Sequence, residues 1–352
     1  MFMNIKFKKP IYIIIILSFI LLLAGCTLVR ILNTKMNKPD DLFNLNINQS
    51  VIDVSSLRRK LDGKIMESTE KTNFYPVAII VENNLEAWPL SGLDKANLVI
   101  EAITESSIPR FLAFYASDEE IDKIGPVRSV RPYYLDWAEP YQPLFMHVGG
   151  SPEALQLIKK YNFTNLDQFF NDQYYWRDNW RYAPHNVYTS SEKIAKALET
   201  KELIKAFDYQ VWKYKDDLAL EKRPEQTNDI VINYTKDYYQ AKWVYNREEN
   251  NYQRYQNNEI EKMSDGAKIY AKNVIIEVHK TVVLDDIGRK KITTIGDGKA
   301  YIFRDGQVIE GKWKKDESAA LTRYYDNKDA EIELNGGTTW IEVVPNEDVI
   351  RY

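Results

Sequence analysis

The segment Tyr75-Pro-Val-Ala-Ile-Ile-Val81 decides the fold class of this chain. Five apolar residues in a row after a proline predict a short buried strand. Similar strands are predicted at 97–103, 110–116 and 144–148, and helical patterns lie between and after them, at 129–138, 154–161 and 190–206. Strands that alternate with helices predict an α/β domain with a mixed sheet and flanking helices, at residues 59–215.

The composition changes after this domain. Residues 216–228 are charged and contain Pro224, which is typical of a linker. Beyond them the segments are rich in Tyr, Val, Ile and Trp, and turn signals such as Asp297-Gly298 and Asp305-Gly306 separate them. This pattern predicts a mainly antiparallel, β-rich domain at residues 229–352, in which 241–246 pairs with 251–256.

The first 25 residues have the features of a lipoprotein signal peptide. Three lysines precede an apolar run of 13 residues, Ile11–Leu23. This run is shorter than the roughly 20 residues of a membrane-spanning helix, so cleavage is favoured over a permanent anchor. Leu23-Ala24-Gly25-Cys26 resembles the bacterial lipobox, which predicts diacylglycerol on Cys26 and a flexible tether at 26–58. Two acyl chains give stable anchoring, so we expect a lipid-anchored protein on the extracytoplasmic face of the cell membrane.

Cysteine content and charge exclude several classes. Cys26 is the only cysteine among 352 residues, so the exported part has no disulfide and no thiolate for a metal. Removal of residues 1–25 takes away three lysines and no acidic residue, so the formal charge changes from −4 to −7. This balance argues against a general binder of nucleic acids or of anionic membranes. The sequence predicts no cofactor, and it does not indicate an oligomeric state.

One candidate ligand site is a strand-to-helix junction with nearby arginines. Gly149, Gly150 and Ser151 precede a helix start marked by Pro152, and the free amides of such a junction bind phosphate or carboxylate groups. Arginines that could contribute bidentate bonds to an anion are Arg110, Arg128 and Arg131. The alternatives are an ordinary capped helix, and arginines that bond helix-end carbonyls or the carboxylates of Glu101 and Glu105.

A second candidate is a polar or catalytic site around two histidines. His147 lies beside the glycine pair, and His185 is followed by Asn186. If the fold brings the histidines together, they could act as acid and base. With Glu82 or Glu101 they could also bind a metal, but no close His spacing is present, so no metal site is predicted. Each histidine could equally be a hydrogen-bonded core residue, as His279 is expected to be. The sequence gives only weak support for Ser151 as a catalytic nucleophile, because the Gly-x-Ser-x-Gly elbow is absent.

A third candidate is an aromatic stretch at 169–182. It has seven rings in 14 residues, interleaved with Asn, Asp, Gln and Arg. Rings beside amides and carboxylates are typical of sugar sites, where the ring stacks on the sugar and the polar groups bind its hydroxyls. The same stretch could instead pack beneath a long loop.

The chain resembles the YerB family of lipoproteins from Gram-positive bacteria, a two-part family of unknown function. The resemblance covers nearly all of the exported chain. It is carried by Tyr75-Pro-Val-Ala-Ile-Ile-Val-Glu-Asn83, Pro89-Leu-Ser-Gly-Leu-Asp-Lys-Ala96, Ile108-Pro-Arg-Phe-Leu-Ala113, Ile124-Gly-Pro-Val-Arg-Ser-Val-Arg-Pro132, His147-Val-Gly-Gly-Ser151, His185-Asn186, Gly306 through Gly311-Lys-Trp313, and Gly337-Thr-Thr-Trp-Ile341. The chain departs from the family pattern at Glu82, where an aspartate is usual, and at Ser106-Ser107, which replaces a glycine pair.

Two functions follow as hypotheses. The first is a tethered binding or accessory protein of the cell envelope, which recognises an anionic wall polymer, a glycan or a protein partner in wall synthesis through the α/β domain. The second is an envelope hydrolase or transferase whose site includes His147, His185, Glu101 and Arg128. Glu82, Asn83, Glu105 and Asn186 complete the set of candidate polar residues.

Overall fold

The computed structural model describes residues 57–116, 119–203, 208–235 and 238–352. Its α-helices are α1 (Pro132–Ala138), α2 (Pro152–Lys160) and α3 (Ser191–Thr200). The strands before residue 216 are β1 (Val77–Glu82), β2 (Leu98–Ile103), β3 (Pro109–Tyr115), β4 (Leu144–His147), β5 (Asn165–Asp167), β6 (Trp176–Arg177), β7 (Val187–Tyr188) and β8 (Tyr214–Lys215). The later strands are β9 (Ile230–Asn233), β10 (Gln240–Asn246), β11 (Asn251–Gln256), β12 (Glu259–Ile260), β13 (Tyr270–Ala271), β14 (Asn273–Val278), β15 (Thr281–Val283), β16 (Lys290–Ile292), β17 (Gly296–Arg304), β18 (Gln307–Lys315), β19 (Arg323–Asp326), β20 (Leu334–Asn335), β21 (Thr339–Val344) and β22 (Ile350–Arg351).

A ten-stranded sheet runs through the described residues in the order β19-β18-β17-β14-β21-β2-β3-β1-β4-β5. β2 pairs with β21 in parallel, whereas β3 is antiparallel to both β1 and β2. The mixed sheet with flanking helices and the mainly antiparallel second half confirm the predicted fold class. Strands from both halves of the chain share this sheet, and the residue limits of the two predicted domains stay a prediction.

The sequence of β1 is apolar at almost every position, and the surroundings of the strand explain why. All six of its residues are buried, because both faces of the sheet are covered. Val77 and Ile79 pack on one face with α3 and the strands β9, β10 and β13, while Ala78 and Ile80 pack on the other with α1 and α2.

A second sheet, β12-β11-β10-β9-β22 with β13 beside β11, forms from the predicted hairpin and its neighbours. β10 and β11 pair in the register Ala241 to Gln256, as the sequence predicts. Trp243 of β10 packs against Trp340 of β21 with ring centroids 5.2 Å apart, which joins this sheet to the large one.

Two predicted helix boundaries are corrected. α1 begins at Pro132 rather than Ser129, because proline fits the first helical position, where no backbone donor is needed. α3 ends at Thr200, short of the predicted end at residue 206.

Cys26, the signal peptide and the predicted tether up to residue 56 lie outside the described residues. In the part of the chain that the structure does describe, no helix is both long and apolar enough to cross a membrane.

Candidate functional site

The aromatic stretch divides into a buried and an exposed part. Tyr174 and Tyr175 are buried in the core. The other part exposes four large rings, each between 65% and 90% accessible: Phe169, Phe170, Trp180 and Tyr182. Trp180 and Tyr182 belong to residues 178–186, which connect β6 to β7 and which we call the aromatic loop. Packing therefore explains only half of the stretch that the sequence singled out.

Asn186, one of the predicted site residues, holds the aromatic loop in place. Its side-chain amide donates to the carbonyls of Asp178 and Arg181, both at 3.3 Å. Its carbonyl oxygen accepts from Arg177 at 2.9 Å, and the other terminal nitrogen of Arg177 donates to Gln168 at 3.0 Å. Because Gln168 precedes Phe169 and Phe170, this one buried amide links both exposed aromatic segments.

Two cations that the sequence analysis did not select lie against the loop. The Lys123 ammonium is 5.3 Å from the centroid of the Trp180 ring and forms an ion pair with Asp178. The Arg181 guanidinium is 5.1 Å from the same centroid and donates to the carbonyls of Glu86 and Pro89. Cations at these distances attract the ring face. Arg181 lies within the aromatic stretch, so its position among the rings was the sequence feature that could have indicated a cation–ring contact.

His185, Glu82 and Arg128 meet beside the aromatic loop. His185 Nδ1 is 2.9 Å from Glu82 Oε2, and its Nε2 is 2.9 Å from Glu86 Oε2. Arg128 Nε is 3.1 Å from Glu82 Oε1, an ion pair without hydrogen-bond alignment, and Arg128 Nη1 donates to the Pro184 carbonyl at 3.1 Å. Three predicted residues thus converge, and no sequence pattern had indicated Glu86.

Arg110, Arg128 and Arg131 lie close together, and we call these three residues the arginine cluster. Burial, followed by the positive charges of Arg131 and Arg128, lowers the pKa of the Arg110 guanidinium. Arg110 donates to the Ser129 carbonyl at 2.6 Å, and its charge also helps to lower the pKa of Glu105. The crowding of like charge here favours an added anion.

Arg131 has a carboxylate partner. It makes a bidentate pair with Glu105, at 2.5 and 2.8 Å. Burial works to raise the pKa of Glu105, but the hydrogen bonds and charge of Arg131 lower it overall. Arg131 is therefore the least available of the three arginines for a ligand.

The glycine junction is engaged by protein groups. The Gly149 amide donates to Asp167 at 2.9 Å, and the Ser151 amide donates to the Val130 carbonyl at 3.3 Å. The Ser151 hydroxyl accepts from the Ala154 amide, as expected of an N-cap, and Gly150 pairs with Val130 as a bridge. These contacts match the capped-helix alternative.

His147 lies in different surroundings from His185. It is fully buried, its Nδ1 is 2.9 Å from the Gly149 carbonyl, and its ring packs 5.8 Å from that of Phe145. Burial lowers the pKa of His147, which favours the neutral ring. His279 is also buried and contacts Glu277 at 2.8 Å. Within the described ranges, no group of three or more His, Cys, Asp or Glu side chains is placed to hold a metal ion.

Glu101 and Asn83 belong to a buried network rather than to the surface. Asn83 donates to Glu101 at 3.2 Å and accepts from the Trp88 indole at 2.8 Å. The centre of the network is Arg254, a buried residue that the sequence analysis missed. Its guanidinium is within 2.9 Å of three carboxyl groups, those of Glu101, Glu261 and Glu342.

Comparison with known proteins gives the family. A model described as the N-terminal domain of a protein of unknown function (DUF3048) matches residues 61–205, and the model of its C-terminal domain matches residues 230–341. The chain belongs to the DUF3048 family. Its similarity to YerB of Bacillus subtilis (strain 168), a protein named as a lipoprotein, is 31% identity over 78% of this chain and 82% of YerB. This similarity supports a lipoprotein held at a membrane by lipid.

A DUF3048 fold is also known from a crystal structure. The crystal structure of the YerB protein from Bacillus subtilis has a TM-score of 0.75 to this chain at 27% identity. The match covers 84% of this chain and 99% of the crystallised one. The crystallised YerB chain is matched almost in full, so we choose the described part of this chain, residues 57–352, for the experiments in solution.

Proposed function

We propose that this chain is a lipoprotein of the extracytoplasmic membrane face that binds a glycan carrying anionic groups. The observation that carries the proposal is the aromatic loop, whose Trp180 and Tyr182 side chains are at least two-thirds exposed although a buried amide fixes their backbone. Exposed rings on an ordered backbone bind sugar faces without a large loss of conformational entropy.

The anionic part of the ligand is assigned to the arginine cluster. Arg128 reaches the aromatic loop through the Pro184 carbonyl, so a ligand stacked on the loop lies near the cluster. Guanidinium groups bind phosphate or carboxylate oxygens in pairs of hydrogen bonds. A polymer with alternating sugars and negative groups would use both surfaces at once. Cell-wall polymers have this chemistry, and the predicted lipid anchor would place the protein beside them.

The test is binding of the soluble chain 57–352 to purified peptidoglycan, with its phosphate polymer attached and after the polymer has been stripped. Loss of Trp180 or Tyr182 to alanine should weaken binding roughly tenfold or more, as at other aromatic hot spots. Tyr270→Ala, an exposed ring on β13, is the matched control and should leave binding unchanged.

The outcomes separate the parts of the proposal. If binding is lost when the phosphate polymer is stripped from the peptidoglycan, the chain binds the anionic groups. If binding persists after stripping, the chain binds the glycan alone. Equal binding by the wild type, Tyr182→Ala and Tyr270→Ala would contradict a role for the aromatic loop.

A second candidate function, an envelope enzyme, is favoured by the position of His185. Its ring is oriented by the buried Glu82 carboxylate and faces the exposed Glu86, an arrangement in which a histidine can transfer protons. The test is chromatography of peptidoglycan fragments after incubation with the wild-type chain and with His185→Gln. New products that require His185 would favour this function over simple binding.

A further inference from the structure

The hairpin β15–β16 stands apart from both large sheets. The two strands pair only with each other, in the register Thr281 to Ile292. The turn at its tip is closed by hydrogen bonds from the Leu284 amide to the Arg289 carbonyl and from the Gly288 amide to the Asp285 carbonyl. Gly288 has a φ of +81°, which suits glycine at this turn. The tip is therefore an ordered ribbon.

The tip of this hairpin is apolar and largely exposed, although Gly288 lies close to the Ser106 backbone and Leu284 lines a hollow beside α1 and α2. Four aliphatic side chains on it are between 46% and 69% exposed: Val282, Val283, Leu284 and Ile287. Scattered exposed aliphatic residues are common on proteins, but a cluster on one two-stranded ribbon indicates an interaction surface.

Positive charges flank the apolar tip. Residues 280–291 contain four basic residues, Lys280, Arg289, Lys290 and Lys291, against two acidic residues, Asp285 and Asp286. Arg289 pairs with Asp285, so the lysines supply the excess charge. On the side of the hairpin that faces α1 and α2, Lys290 and Lys291 line a hollow with Asp136 and Glu153. The hairpin itself therefore has two more basic than acidic residues, in a chain whose formal charge is −7 once residues 1–25 are removed.

We propose that this hairpin contacts the anionic surface of a lipid bilayer. Aliphatic side chains flanked by lysines are the combination that binds the membrane interface, where the apolar groups enter the headgroup region and the ammonium groups attract anionic lipid. Cys26 precedes Leu57 by 31 residues, a length that spans at most roughly 110 Å when fully extended. A lipid-anchored chain can therefore bring the hairpin to its own membrane.

The experiment is cosedimentation of the soluble chain 57–352 with vesicles. One set contains phosphatidylglycerol and phosphatidylcholine in equal amounts, and the other contains phosphatidylcholine alone. The chain is expected to bind the first set at least tenfold more tightly, since each lysine near an anionic surface contributes about fivefold.

Two variants and two controls test the hairpin itself. The double variant Leu284→Ser, Ile287→Ser should reduce binding to the anionic vesicles at least tenfold. The double variant Lys290→Gln, Lys291→Gln should also reduce binding to the anionic vesicles, and its remaining binding should depend less on salt concentration. The controls are Val308→Ser and Lys314→Gln, an exposed aliphatic residue and an exposed lysine on β18, and both should bind like the wild type.

Circular dichroism confirms that each variant is folded. Equal binding by the hairpin variants and the controls would overturn the proposal. So would dimerisation of the wild type that the Leu284 and Ile287 substitutions abolish, with no vesicle binding, because the hairpin would then contact a second copy of the chain.

Discussion

The most specific prediction concerns Arg254, which we expect to stabilise the contact between the two large sheets. Its guanidinium lies beside the rings of Trp340 and Trp243, at 4.7 and 5.3 Å from their centroids. It is also the only cation recorded, within the described residues, in contact with the carboxyl groups of Glu101 and Glu342. Burial alone would lower the pKa of Arg254, but the surrounding carboxyl groups raise it, so the guanidinium keeps its charge.

Arg254→Met should lower the free energy of unfolding by about 3–5 kcal/mol at pH 7. Methionine fills much of the same volume but leaves the buried carboxyl groups of Glu101, Glu261 and Glu342 without the guanidinium that they contact, and that penalty dominates the change. The measurement is urea unfolding followed by tryptophan fluorescence, since Trp243 and Trp340 flank the substituted side chain.

Two further variants isolate the electrostatic cause. Arg289→Met removes an exposed ion pair and should change stability by no more than about 0.5 kcal/mol. Glu342→Gln added to Arg254→Met should restore part of the loss, because it removes one of the buried carboxyl groups that the guanidinium had contacted. A loss below about 1 kcal/mol in Arg254→Met, or no recovery in the double variant, would refute the reasoning.

The remaining predictions concern Glu101 and Asn186. Burial, with reinforcement from Glu342 and Glu261 and opposition from Arg254, raises the pKa of Glu101 well above 4.5, so the folded chain holds a proton that the unfolded chain releases. The contribution of this group to the free energy of unfolding is fully present below pH 4.5 and falls as the pH rises, by at most about 1.4 kcal/mol per pH unit. Urea unfolding midpoints measured from pH 5 to 8 should show that Glu101→Gln removes this pH dependence. An unchanged pH dependence in the variant would assign it to other groups. Asn186→Ala should lower the free energy of unfolding by about 1–3 kcal/mol, because it removes the donor to two partly buried backbone carbonyls, and should speed amide exchange at 178–182. Unchanged exchange there would show that other contacts fix the loop.

The strands were predictable because their sequences are locally distinctive. Val77–Glu82 and Leu144–His147 match the predicted segments to within two residues, since unbroken apolar runs after a proline or before a glycine pair leave few alternatives. The partner of each strand was not predictable. β2 pairs with β21, about 240 residues later, and two buried strands that are apolar on both faces carry no signal of which one lies beside the other.

The site was predictable in its residue types but not in its geometry. His185, Glu82 and Arg128 were selected from the sequence, and they do meet. Glu101 was grouped with them as a possible metal ligand and as part of the enzyme hypothesis, yet its partner is Arg254 from the second sheet. The aromatic stretch was identified, but only the fold determines that Tyr175 is buried while Tyr182 is exposed.

The most direct test of the proposed function is amide hydrogen exchange of the soluble chain with and without purified wall polymer. We predict slower exchange at residues 178–186, and no change at the hairpin of residues 281–292. Protection confined to other parts of the chain, with exchange in the aromatic loop unaltered by bound polymer, would contradict the assignment of this loop as the glycan-binding surface.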